Sequence, residues 1–187
     1  MILTMDIGNT NVKYGVFDGD KMIASWRVST KASRTADEYG MVLYDLLRQR
    51  GVNFEDIDAC VMSSVAPALN YTIEHMCNDY IGKSPLIVSC DTDTGITLDY
   101  AQPTQLGTDR IVGAAAAYAI YGGPVIVVDF GSATTFNLVT KDGRYLGGAI
   151  APGIKTATES LVTTAAKLPR IELEKPQNIV GRDTKSC

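Results

Sequence analysis

The sequence predicts an α/β protein made of two related halves, and three observations carry that expectation. Strand-like apolar runs alternate with amphipathic helical stretches. A motif near the N-terminus recurs at an offset of 123 residues, which places Asp6 on Asp129 and Gly8 on Gly131. A composition of 45% hydrophobic and 20% charged residues over 187 positions is that of a globular chain with room for a substantial core.

The elements follow in order. Residues 2–5 read as a buried strand, a polar loop leads to a second strand over 12–17, and Asp18-Gly19-Asp20 turns the chain into a third over 22–28. Thr35 and Glu38 form a capping box, after which Tyr39, Val42, Leu43, Leu46 and Leu47 recur at helical spacing until Gly51. A strand over 57–65, a helix over 67–81 opened by Pro67, and a strand over 86–90 complete the first half. Residues 91–105 show no period and read as an ordered loop. Residues 111–128 run without a charge for 18 positions, the length of a membrane span. Gly122-Gly123-Pro124 divides that run, so the pattern predicts a buried helix over 107–121 and a buried strand over 125–128.

Several function classes are excluded or disfavoured. With 17 basic against 21 acidic residues the net charge of −4 repels phosphate backbones and anionic lipid, which argues against nucleic-acid and membrane partners. Cys60, Cys77, Cys90 and Cys187 form no C-x-x-C pair and no secretory leader pattern opens the chain, so the expected location is a reducing cytoplasm. The single His75 excludes multi-histidine zinc sites and reads as an ordinary helix residue. Gly82-Lys83-Ser84 ends like a P-loop, but Cys77 stands where its first glycine belongs, and no G-x-G occurs for a dinucleotide fold.

Each half thus opens with a strand, an Asp-x-Gly turn rich in hydroxyl and amide side chains, and a hairpin. Glycine after the aspartate lets the backbone approach a ligand, and Asn9, Thr10 and Asn11 offer donors that suit a phosphate. Asp6, at a strand end, is placed to hold Mg²⁺ directly or through water. Asp129 is placed to hold a cation in the same way, with Ser132, Thr134 and Thr135 as polar contacts. A plain turn is the commoner role of a single Asp-x-Gly; the paired occurrence favours the functional one.

Four segments in order, Asp6-Ile7-Gly8-Asn9-Thr10-Asn11, Gly107-Thr108-Asp109-Arg110, Asp129-Phe130-Gly131-Ser132-Ala133-Thr134-Thr135 and Gly147-Gly148-Ala149-Ile150-Ala151-Pro152-Gly153, resemble the motifs of type III pantothenate kinases. The resemblance implies duplicated ribonuclease-H-like domains with mixed sheets, as in the actin-like, sugar-kinase and Hsp70 ATPase superfamily. The division expected is 1–104 for the first domain and 105–187 for an incomplete second. It also implies transfer of the ATP γ-phosphoryl group to pantothenate, the first step of coenzyme A synthesis, in a cytoplasmic homodimer.

By that similarity Asp6, Ile7, Gly8, Asn9, Thr10, Asn11, Val12 and Lys13 form the ATP phosphate loop, with Ser132 contributing from the second half. Asp109 is the general base, and Tyr100, Gly107, Thr108, Asp109, Arg110 and Thr184 surround pantothenate. Asp129 holds a monovalent cation, K⁺ or NH₄⁺, and ATP enters with Mg²⁺. Ser132 replaces the usual threonine and keeps the hydroxyl. Family members continue beyond the position of Cys187, so an exposed apolar face on the second domain and weak turnover are expected. The alternative is a nucleotide-binding remnant or regulator resembling accessory transcription factors, and turnover of pantothenate separates the two. A phosphatase of the same superfamily is disfavoured, because Tyr100, Gln102-Pro103 and 107–110 together suit a bound alcohol better than an activated water. If Asp129 holds a monovalent ion, turnover rises when K⁺ or NH₄⁺ replaces Na⁺ at constant ionic strength, and equal rates in all three salts would remove that role.

Overall fold

The computed structural model describes residues 1–165, 170, 172–176, 178–184 and 186. Its first sheet has the order β3-β2-β1-β4-β5, with β1 (Ile2–Ile7), β2 (Asn11–Asp18), β3 (Lys21–Ser29), β4 (Ala59–Ser64) and β5 (Leu86–Ile87). β2 runs antiparallel to both β1 and β3, whereas β1, β4 and β5 are parallel. Alternation along β1 buries Leu3, Met5 and Ile7, and they join Val12, Tyr14 and Val16 of β2 and Met62 of β4 in one core. The same register aligns polar groups at the strand ends. Asp6 pairs with Lys13 across β2 and with Ser63 across β4, and Ile7 pairs with Val12 and Ser64.

Helix α1 (Ala36–Arg48) begins at the expected capping box, in which Glu38 donates its N–H to the Thr35 hydroxyl and Thr35 donates its N–H to the Glu38 carboxylate. Its apolar stripe lays Tyr39, Leu43 and Leu47 on the core. Gly40 allows close approach there, because a Cβ would stand 2.7 Å from the Tyr80 ring. The stretch expected as one helix over 67–81 is three pieces: a 3₁₀ turn Pro67–Leu69, α2 (Asn70–Met76) and a π-helical turn Cys77–Ile81. Gly82 at φ +70° ends it. His75 stacks on Tyr71 at 4.1 Å between ring centres, as befits an exposed helix residue.

In the second half, β6 (Thr97–Leu98), β7 (Val125–Phe130), β8 (Ala133–Val139) and β9 (Arg144–Pro152) make a sheet ordered β6-β9-β8-β7. α3 (Thr108–Tyr121) supplies Ile111 and Ala114 to a second core with Leu106, Val139 and Tyr145. α4 (Ile154–Thr164) follows β9. The chain separates into two compact units, Met1–Val127 with Asn137–Gly147 and Val128–Phe136 with Gly148–Cys187. Ile126, Phe130 and Ile150 are each about two-thirds exposed, and Val128, Phe136, Leu138 and Leu146 are also exposed. Among the described residues no helix is long and apolar enough to cross a membrane.

The strand expected to be buried over 125–128 is instead partly to largely exposed, and two further differences from the expected elements have local causes. The strand expected over 86–90 pairs only at Leu86–Ile87, because after Val88 donates to the Met62 carbonyl a Ser89–Thr92 turn takes the chain away, closed by the Ser89 N–H on the Thr92 hydroxyl. Within the expected loop over 91–105, Thr97 and Leu98 pair in parallel with Arg144 and Tyr145, a strand too short to show a period. Since Leu43 is fully buried, Leu43→Ala is expected to lower unfolding free energy by about 2–5 kcal/mol in urea denaturation. An unchanged midpoint would contradict this packing.

Candidate active site

The β1–β2 loop is a tight turn closed by the Gly8 N–H on the Asn11 carbonyl at 3.0 Å. Thr30 braces it from β3's end, its hydroxyl donating to the Gly8 carbonyl at 2.6 Å and its N–H to the Thr10 carbonyl at 3.0 Å. Ile7 and Val12 are buried in the core and can offer a ligand only backbone, whereas Asn9, Thr10 and Lys13 are exposed. Lys13 Nζ donates to Asp6 Oδ2 at 3.0 Å. The other oxygen, Asp6 Oδ1, is buried and has no hydrogen-bond partner among the described residues. An unpartnered carboxylate oxygen beside a loop with exposed donors is the chemistry that a hard divalent cation with phosphate oxygens requires, so the residues fit Mg²⁺.

One register step away, the first turn of α3 is fastened to β4. The Thr108 hydroxyl accepts from Ser63 Oγ at 3.0 Å and from the Ser64 N–H at 3.1 Å, and donates to the Ser64 carbonyl at 3.1 Å. Ser63 and Ser64 are the β4 partners of Asp6 and Ile7, so this tie brings the helix start to the strand end that carries the loop. Asp109 is half-buried in the helix's first turn, where a carboxylate is favoured by the helix dipole, and Oδ1 accepts the Arg110 N–H at 2.8 Å. Gly107 leaves room for it: a Cβ there would lie 2.5 Å from that oxygen.

Arg110 leads into a polar cluster within the second core. Its Nε donates to Asn137 Oδ1 at 2.6 Å, and its guanidinium lies 5.9 Å from the centre of the Tyr145 ring. The Tyr145 hydroxyl donates to the same Asn137 oxygen at 2.8 Å. Burial raises the Tyr145 pKa and so keeps that hydroxyl a donor. Tyr100 meets Tyr145 edge-on with ring centres 6.0 Å apart, and Gly147 at φ +103° brings the backbone close to the Tyr100 ring. Tyr100 and Arg110 thus both neighbour the Tyr145 ring, and Thr108 is tied to β4, the strand next to the one that bears Asp6.

Asn137, Tyr145, Ser63 and Ser64 escaped the sequence reading. The available signal was an amide at position 137, flanked by Phe136 and Leu138, at the buried parity of a strand. Asp129, Ser132 and Thr184 belong to the second unit. Gly131 donates to the Ala133 carbonyl at 3.0 Å, much as Gly8 does to Asn11, so the repeated motif makes a similar turn with one residue fewer. Gly153 donates to the Ser132 carbonyl, and a Cβ on Gly153 would reach 2.5 Å from that oxygen. Asp129 is exposed, and among the described residues no group of three carboxylates, histidines or cysteines gathers around it or elsewhere. Thr184 is exposed in a turn closed by the Ser186 N–H on Asp183 Oδ1.

The sequence profile described as type III pantothenate kinase matches residues 2–187. This chain belongs to that family. A type III pantothenate kinase of Brevibacillus brevis is 50% identical over 184 residues, which are 98% of this chain and 72% of the relative. One of Moorella thermoacetica is 44% identical over 187 residues, 100% of this chain and 74% of the relative. Among solved structures, a protein of Campylobacter jejuni described as a Baf family transcriptional activator superposes with a TM-score of 0.55 at 20% identity, covering 98% of this chain and 70% of that one. At that identity the likeness concerns the fold alone, a mixed-sheet α/β architecture.

In this family member, Gly107→Ala would push a methyl group into the Asp109 carboxylate and displace it. If Asp109 is the general base that the family resemblance implies, turnover is expected to fall at least about tenfold with circular dichroism unchanged, since displacing a catalytic group by an ångström is costly. Parental turnover in the alanine variant would show that Asp109 has room to spare.

Proposed function

We propose that the protein phosphorylates pantothenate with ATP, giving 4′-phosphopantothenate. The observation that carries this reading is the Thr108 tie, which fastens the turn bearing Asp109 and Arg110 to Ser63 and Ser64 of β4, the parallel neighbours of Asp6 and Ile7 on β1. Asp109 accepts the proton of the primary hydroxyl as that oxygen attacks the γ-phosphorus, while the bond from phosphorus to the β–γ bridging oxygen breaks and ADP leaves. Arg110 pairs with the substrate carboxylate, and Tyr100 and Gly107 line the space beside it. Thr108 contributes through its backbone and by holding the turn, because its hydroxyl is committed to β4.

On the nucleotide side, the exposed Asn9 and Thr10 and the half-buried Asn11, with the backbone of Ile7, Gly8 and Val12, receive the phosphates, and Lys13 offsets their charge. Asp6 holds Mg²⁺, which when bound neutralises developing charge on the phosphate oxygens. Ser132 and Thr184, in the second unit, are assigned to phosphate and to pantothenate by the family resemblance, and Asp129, an exposed carboxylate, suits a weakly held monovalent cation. In this reading residues 1–104 and 105–187 are the two domains; one buried cluster is drawn from residues 3–81, and the other, from residues 106–145, also takes packing from Cys90, Ile96, Leu98 and Tyr100. A homodimer in the cytoplasm completes the reading.

Incubation with ATP, Mg²⁺ and pantothenate should yield a product heavier by one phosphoryl group, and Asp109→Asn should slow its formation by about 10²-fold or more with the fold intact. Near-parental kcat in that variant would remove Asp109 as the base. No phosphorylated pantothenate from the parent chain would overturn the assignment.

A further inference from the structure

Asn137 is 2% exposed on β8, and its side-chain oxygen takes two donors, Arg110 Nε at 2.6 Å and the Tyr145 hydroxyl at 2.8 Å. Two converging donors identify that atom as the oxygen, because an NH₂ in its place would meet them donor to donor. A guanidinium has five N–H donors in one plane. Fixing Nε from one side and supporting the group on the Tyr145 ring sets that plane and leaves the terminal NH₂ groups to grip a planar anion bidentately. Tyr145 is itself fully buried, so the arrangement is anchored in the core and not in a surface loop.

The residue type matters as much as its place. A carboxylate at 137 would hold Arg110 equally well, but it would also cancel the charge that a substrate carboxylate needs. A neutral amide orients the guanidinium and leaves its full positive charge for the ligand. We infer that Asn137 is the positioning residue that presents Arg110 to the carboxylate of the substrate, with Tyr145 holding Asn137 in turn. Asn137 thereby sets the preference for an anionic over a neutral substrate end. This rests on the reading of Arg110 as the carboxylate partner and names what makes that partnership selective.

The test compares pantothenate with its primary amide, in which the carboxylate is replaced by a neutral carboxamide. Binding to the parent, Asn137→Leu and Tyr145→Phe is followed by calorimetry, and steady-state kinetics give KM and kcat for both compounds. Asn137→Leu is expected to weaken pantothenate by about tenfold to a hundredfold, mostly in KM, while the amide changes by less than about twofold. Tyr145→Phe keeps the ring and should give a smaller loss with the same selectivity for the carboxylate. Equal weakening of both compounds, or no weakening of either, would overturn the inference and leave Asn137 a packing residue. If Asn137→Leu fails to fold, Tyr145→Phe decides by the same criterion. Binding of neither compound to the parent would instead overturn the substrate reading, and this inference with it.

Discussion

The Thr108 hydroxyl uses its whole hydrogen-bonding capacity on two consecutive residues of β4, accepting from Ser63 Oγ and the Ser64 N–H and donating to the Ser64 carbonyl. These bonds fasten the first turn of α3 directly to the first sheet, far from it in sequence. Through them, one chain of bonds runs from β1 through its parallel partner β4 to the helix, and the pair Asp6–Lys13 and the pair Asp109–Arg110 become parts of one framework. Each neutral hydrogen bond contributes about 1 kcal/mol to stability. Their larger effect is geometric, because phosphoryl transfer depends on positioning and charge neutralisation more than on covalent chemistry.

The same logic explains where polar groups are placed in the cores. Buried side chains of the first core are mostly apolar, with the Tyr14 hydroxyl in its interior and Ser63 near the end of β4 among the exceptions. The second core is smaller and holds Asn137 and Tyr145 in its interior, where an unpaired polar atom would cost about 1–3 kcal/mol. Both are paired with each other and with Arg110. A buried network that is satisfied only in one arrangement holds a side chain more firmly than packing alone.

Local patterns made most of the fold legible: α1 carries a cap and a period of 3.6, the first three strands are short apolar or alternating runs between turn residues, and all but the start of α3 is a charge-free run stopped by Gly122-Gly123-Pro124. The repeat at 123 residues was legible too, and its two turns share a glycine N–H closure. Three features were not. β6 has two residues and takes its identity from β9, which is distant in sequence. The π-helical turn at Cys77–Ile81 keeps the helical spacing of apolar residues while changing the backbone bonds. α4 begins at Gly153 with no side-chain cap to announce it. At the site, Asp6, Lys13, Asp109 and Arg110 stand in motifs, whereas Ser63, Ser64, Asn137 and Tyr145 act through contacts between residues 8 to 45 positions apart. No local window contains those contacts.

The role of the Thr108 tie is open to a direct measurement with two substitutions that differ by one hydroxyl. Thr108→Val keeps the shape and removes all three bonds, and Thr108→Ser keeps the hydroxyl and removes a methyl group. Measured with pantothenate under saturating ATP, kcat/KM should fall by about tenfold or more in the valine variant and stay close to the parent in the serine variant. Equal kcat/KM in the parent and the valine variant, with both folded, would contradict the account by showing that the helix start holds its place without the tie.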